Sequence, residues 1–125
     1  MKNVALIALA AMFASCGGGG SSSGADSSTA PGHPDGKTVF INNCVQCHAI
    51  NQDKNGPKLA GAISRWNNDT ARLASYIRNS QEAIKTDPYA AKLYAQWSNM
   101  VMPAFNHLTE EEIKQVIAYI AEGKD

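Results

Sequence analysis

The sequence has no long hydrophobic run. Its most apolar stretch, Val4 to Phe13, is about ten residues, whereas a helix that crosses a bilayer takes about 20. It has no excess of either charge: Lys and Arg total 11, as do Asp and Glu, and residues 16–125 alone carry 10 basic and 11 acidic residues. That balance argues against a nucleic-acid partner and against a basic membrane-surface protein. There is no internal repeat and no glycine-rich phosphate loop. Paired carboxylates or a Ser/His/Asp set at a signature spacing are also missing, so hydrolytic and phosphoryl-transfer chemistries have no support. No strand-type alternation stands out from the background. Cysteine is scarce as well, at three residues, and where those three stand carries most of the information.

Two of them lie in Cys44-Val45-Gln46-Cys47-His48. This C-x-x-C-H spacing is that of covalent haem attachment: two thiols add to the haem vinyl groups, and the adjacent His is placed to ligate iron from one face. A zinc site is the competing reading, but zinc needs two further ligands. The remaining candidates, Cys16, His33 and His107, form no second pair. A thioredoxin-like C-x-x-C would sit in an alternating strand–helix pattern, which is missing here. The cofactor expected is one haem c bound through Cys44 and Cys47, with His48 on the iron.

Thioether formation would use Cys44 and Cys47 and leave Cys16 over. Lys2, the apolar run to Phe13 and the small residues Ala14 and Ser15 precede it, the layout of a secretory signal. Phe13-Ala14-Ser15-Cys16 resembles the cleavage site of bacterial lipoproteins, in which Cys16 becomes the acylated first residue; ordinary cleavage would leave it a free thiol. Several acyl chains on one residue anchor stably, where a single chain binds only marginally. Gly17 to Pro34 is nearly all Gly, Ser, Ala, Thr and Pro. Such a stretch cannot bury a core and is expected to act as a tether with a root-mean-square span of roughly 23–25 Å, or as a spacer that clears the lipid headgroups. His33 falls within it and is read as solvated. The expected organisation is a signal peptide at 1–15, acylated Cys16 with its tether at 16–34, and one small domain at 35–125.

That domain is expected to be all-α. Asp35-Gly36 precedes Val39, Phe40 and Cys44 at helical spacing. Asp69 is a candidate N-cap for a helix carrying Leu73, Tyr76 and Ile77. Asp87-Pro88 reads as N-cap and N1 proline for a helix with Tyr89, Leu93, Tyr94 and Trp97 on one side. Thr109 and Glu112 form a capping box, with Leu108 and Ile113 as a hydrophobic staple. Ile113, Val116, Ile117 and Ile120 then line a buried face that Gly123 closes. A core this small is marginal on its own, and covalent haem would supply much of the missing apolar contact.

The second axial position has three candidates downstream: Met100, Met102 and His107. Met102-Pro103-Ala104-Phe105 offers a proline-defined loop able to hold a thioether against iron; core filling by Met102 is the competing reading.

From about Gly36 to Glu122 the chain resembles class I cytochrome c. Gly36, Phe40 and Cys44-x-x-Cys47-His48 resemble the family's first helix and haem site. Gly56-Pro57-x-Leu59-x-Gly61 resembles the loop supporting the proximal His, and Met102-Pro103-x-Phe105 the distal Met loop. Thr109 to Ile120, with Tyr119, resembles the terminal helix. The resemblance implies a small cytochrome c fold of three to five helices around a covalently attached haem, with His48 proximal and Met102 distal. It further implies that the Pro57 carbonyl fixes the His48 ring and that Leu59 packs on the haem face. Gly36 and Tyr119 would mark the crossing of first and last helices. Arg65 or Trp66 would meet a haem propionate.

Two protein ligands on a low-spin iron would leave no place for substrate, so the chain is expected to be an electron carrier and no enzyme. Its partners would be redox proteins such as a reductase, an oxidase or a respiratory complex, with the membrane reached through the lipid anchor. Lys54 and Lys58 would either steer an acidic partner to the haem edge or be solvated lysines of no special role. Competing readings are a haem-based small-ligand sensor, in which Met102 leaves the iron, and a redox accessory subunit of a larger enzyme complex. The place expected is the periplasm or cell envelope. Gly17, which supplies no acidic retention signal after Cys16, favours the outer membrane.

Overall fold

The computed structural model describes residues 34–98 and 100–124. Cys16, His33, the expected signal peptide and nearly all of the expected tether lie outside the described residues. Among those described there are six helices and no strand, in agreement with the expected all-α class.

The first helix, α1 (Gly36–Asn43), begins where Asp35 Oδ1 accepts the Thr38 amide at 2.8 Å, satisfying one of the amides that a helix start leaves without a partner. The last, α6 (Glu110–Glu122), carries the expected capping box: the Glu112 amide donates to Thr109 Oγ1 at 3.2 Å, and Glu112 Oε2 accepts the Thr109 amide at 2.7 Å. It ends at Gly123, whose φ of 65° lies in the left-handed region that glycine enters without a Cβ penalty. These two helices cross tightly. A Cβ on Gly36 would lie 2.0 Å from the Gln115 carbonyl oxygen and 2.8 Å from Tyr119 Cβ, so only glycine allows this approach. The Phe40 and Tyr119 rings meet beside it at 5.6 Å. Val39, Phe40, Ile113, Val116, Ile117 and Ile120 are all buried around the crossing.

Four further helices close the remaining sides. After the single turn of α2 (Ala62–Arg65), Asn67 and Asn68 take φ of 57° and 60°, a region that asparagine enters more readily than most residues, and the chain reverses into α3 (Thr70–Arg78). Asn79 ends α3 and caps α4 (Ser80–Thr86), its side chain accepting the Glu82 amide at 3.2 Å. Asp87 caps α5 (Pro88–Gln96), accepting the Tyr89 and Ala90 amides at 2.8 and 3.1 Å with Pro88 in the first turn. Asp69, Asp87 and Thr109 therefore start helices as their side chains predict. The short α2 and α4, at 4 and 7 residues, went unpredicted because neither is long enough to display an apolar period. α3 packs on α4 and α6, and α4 on α5, which leaves an open cleft between this layer and the α1–α6 pair. No helix among the described residues is long and apolar enough to cross a membrane.

Candidate haem-binding site

The cleft and its open mouth together take in about 1140 Å³ of atom-free space. Cys44, Cys47, His48, Pro57, Leu59 and Met102 all line it, together with apolar residues from α3, α5 and α6 such as Leu73, Ile77, Leu93, Val116 and Ile120.

One wall is built from the turn that ends α1. The amides of Cys44 and Val45 both donate to the Phe40 carbonyl, at 2.8 and 3.1 Å, and the His48 amide donates to the Cys44 carbonyl at 2.9 Å. This turn holds two thiols and an imidazole in one stretch. The chain then curls under the ring: the Gly56 amide donates to the Cys47 carbonyl at 2.9 Å, and His48 Nδ1 donates to the Pro57 carbonyl at 2.8 Å. A carbonyl can only accept, so Nδ1 carries the proton and Nε2 keeps its lone pair. Burial pushes the His48 imidazole below its ordinary value, the Pro57 bond opposes this, and the Lys54 charge reinforces it. Burial and the Lys54 charge thus disfavour a second proton on the ring. Burial, aided by the neighbouring Cys47, likewise pushes the Cys44 thiol up to about 11.

Gly56 plays a part that the sequence reading did not assign. A Cβ there would lie 2.4 Å from His48 Cε1 and 2.9 Å from each ring nitrogen, so the missing side chain is the space the imidazole occupies.

The other wall is the irregular segment between α5 and α6. Met102 is half-buried, with its carbonyl accepting a hydrogen bond from the Ser80 hydroxyl. The Phe105 amide donates to the carbonyls of Arg78 at 3.1 Å and Ile77 at 3.4 Å. Met100 also lines the cleft but is 54% exposed. His107 is exposed and shares a hydrogen bond of 3.2 Å with Asn43 Oδ1.

Arg65 and Trp66 both line the cleft. The Arg65 guanidinium donates to the carbonyls of Ala60 at 2.8 Å and Lys58 at 2.5 Å. Trp66 is buried, flanked by Tyr76 at 5.0 Å and Tyr89 at 4.9 Å, with the Arg72 guanidinium 5.4 Å from its ring. Arg72 also forms a two-point ion pair with Asp87. Burial, with Tyr89 beside it, pushes the Tyr76 phenol up. At the sequence level Tyr76 and Tyr89 had places on helix faces but no part in the site, and Ser80 had neither. A Ser buried against a carbonyl 22 residues away leaves no local pattern to find. Of the two lysines, Lys54 donates to the Val45 carbonyl at 2.6 Å and Lys58 is exposed.

The residues present fit a covalently held haem. The pair of thiols, a neutral imidazole whose Nδ1 is already satisfied, the space that Gly56 leaves and an apolar cleft are what a haem attached at Cys44 and Cys47 requires. Among the described residues no group of three or more His, Cys, Asp or Glu is arranged to hold a bare metal ion.

Comparison with known proteins points the same way. Residues 34–124 match the family model described as cytochrome c. The chain is 28% identical over 102 residues to cytochrome c oxidase subunit 2 of Bacillus sp. (strain PS3), a match over 74% of this chain and 26% of that protein. It thus spans about a quarter of that relative's length. In fold it is similar to a cytochrome c from Rhodothermus marinus, with a TM-score of 0.63 at 20% identity, covering 70% of this chain and 72% of that one.

Proposed function

The chain belongs to the cytochrome c family, and we propose that it is an electron carrier in which His48 and Met102 are the two axial ligands of a single haem c held by Cys44 and Cys47. Bound there, the haem would supply one-electron chemistry, cycling between ferrous and ferric iron. The observation that carries this reading is that Cys44, Cys47, His48 and Met102 line one cleft. The Pro57 carbonyl holds the proton on His48 Nδ1 and leaves Nε2 for iron. Met102 is favoured over its rivals because its side chain is half-buried on a pinned loop, while Met100 is largely exposed and His107 is engaged with Asn43. With both axial positions filled by side chains, no position is left for a substrate.

The test is the spectrum of the ferric protein with and without Met102→Ala. Wild type is expected to be six-coordinate and low-spin, and the variant high-spin and open to carbon monoxide once reduced. A high-spin wild type that binds carbon monoxide readily would overturn the carrier reading in favour of a ligand sensor.

A redox-protein partner follows from the function, and the similarity to a subunit of cytochrome c oxidase supports a terminal oxidase as electron acceptor. The same similarity favours, as a second reading, an accessory domain that serves one such complex. We further propose that Cys16 is acylated and that residues 17–34 tether the domain to a membrane of the cell envelope, the outer membrane being favoured. Support comes from the apolar run, the Ala14-Ser15-Cys16 junction and the composition after it. The mass of the mature protein checks this: an unmodified Cys16 would remove the anchor.

A further inference from the structure

Among the described residues Ser80 is the buried polar residue of the core, with 0% exposure. Its hydroxyl donates to the Met102 carbonyl across 22 residues of sequence. A hydroxyl taken wholly out of water is stable only with such a partner. Three residues beyond Met102, the Phe105 amide donates to the carbonyls of Arg78 and Ile77. Both attachments land on one feature, the break between α3 and α4 at Asn79, where φ of −150° and ψ of 85° take the chain out of helix. Met102 is thus fastened to this elbow at its own carbonyl and again three residues on. Met100 is not: its amide bonds to the Trp97 carbonyl within its own turn, at 3.0 Å.

We propose that Ser80 is a positioning residue for the axial thioether: by holding the Met102 backbone to the α3–α4 elbow, it sets how readily Met102 can be displaced from haem iron, and with that the reduction potential. The inference rests on the reading of Met102 as distal ligand. A thioether prefers ferrous iron, and Met/His ligation raises the potential relative to two imidazoles. A loosened Met102 is lost first from ferric iron, where harder ligands replace it. Loss of the Ser80 bond therefore stabilises the ferric state and lowers the potential.

The experiment titrates the ferric holoprotein with imidazole, following the thioether-to-iron charge-transfer absorption. Wild type, Ser80→Ala, Ser80→Cys and Met102→Ala are compared, and midpoint potential and thermal unfolding are measured alongside. Ser80→Ala is expected to bind imidazole about tenfold more tightly, which is about 1.4 kcal/mol and the size of one lost hydrogen bond, and to have a lower potential. Ser80→Cys, which fills the same space with a weak donor, should fall between, and it carries the test if the alanine variant does not fold. Ser80 variants that unfold at lower temperature while keeping wild-type imidazole affinity and potential would overturn the proposal, since the bond would then serve stability alone. A Met102→Ala protein that keeps the charge-transfer absorption would instead remove the ligand assignment itself.

Discussion

The His48 side of the cleft is held by bonds within one short stretch of chain, whereas the Met102 side is held across the fold. His48 reaches the Pro57 carbonyl over nine residues, and Met102 reaches Ser80 over 22. The entropy of closing the longer loop is hardly greater, because each doubling of loop length costs only about 0.6 kcal/mol. What separates the two sides is dependence. The turn at Cys44–His48 takes its own hydrogen bonds from α1 and the loop curled beneath it. The Met102 loop has partners only once α3 and α4 have met at Asn79. The first side is therefore specified locally and stiffly, and the second inherits whatever stability the α3–α5 layer has.

Gly56→Ala strikes the stiff side directly and should have the largest effect. Its methyl group would sit 2.4 Å from His48 Cε1, so either the ring or the Gly56 backbone must move. Overpacking of this kind costs about 2–3 kcal/mol. Denaturant unfolding of the holoprotein measures it, and a variant of wild-type stability would show that this loop yields and that the contrast between the sides is false.

Acid should act on the other side, and more gently. The bond from Arg72, with the Tyr89 and Ala90 amides adding to it, holds the Asp87 carboxyl down at about 2, against 3.8 for an unperturbed Asp. A folded value below the unfolded one means that the charged form stabilises the fold. Its contribution is complete above about pH 5 and is lost as pH falls from about 4 toward 2. Because Asp87 caps α5 and clasps α3, the Met102 loop should loosen over that window while the Cys44–His48 turn persists. Asp87→Asn keeps an N-cap acceptor and should flatten the decline of melting temperature between those pH values. An unchanged slope would mean that other carboxylates govern the acid response.

The same contrast decides how much could be read before the structure. The C-x-x-C-H element was legible because covalent chemistry demands that spacing, and the caps at Asp69, Asp87 and Thr109 were legible because each side chain bonds amides within three residues of itself. The role of Gly36 became legible once its place in the helix crossing was supplied by resemblance. Gly56 stood within the loop motif, but its role against the imidazole depends on a ring eight residues away. Ser80 and the tyrosines around Trp66 were illegible for a stronger reason. Their contacts join the end of α2, α3, α4, α5 and the α5–α6 segment, and no local period or cap encodes which elements will meet. Short α4 hid the elbow that holds Met102, because seven residues show too little of a helical period.

The smallest expected effect sharpens the comparison inside the Met102 side itself. Met100 and Met102 stand two residues apart and both line the cleft, so proximity does not choose between them. Their settings do. Met100 is 54% exposed, and truncating so exposed a side chain should change stability by no more than about 0.5 kcal/mol. Met102 has its carbonyl tied to a fully buried hydroxyl, and pinning the backbone limits where the sulfur can go. Met100→Ala should therefore keep the low-spin ferric spectrum, the charge-transfer absorption and the reduction potential of the parent. Loss of that absorption in Met100→Ala, with its retention in Met102→Ala, would move the thioether to the exposed residue. The long-range clasp from Ser80 would then order the loop without bearing on iron.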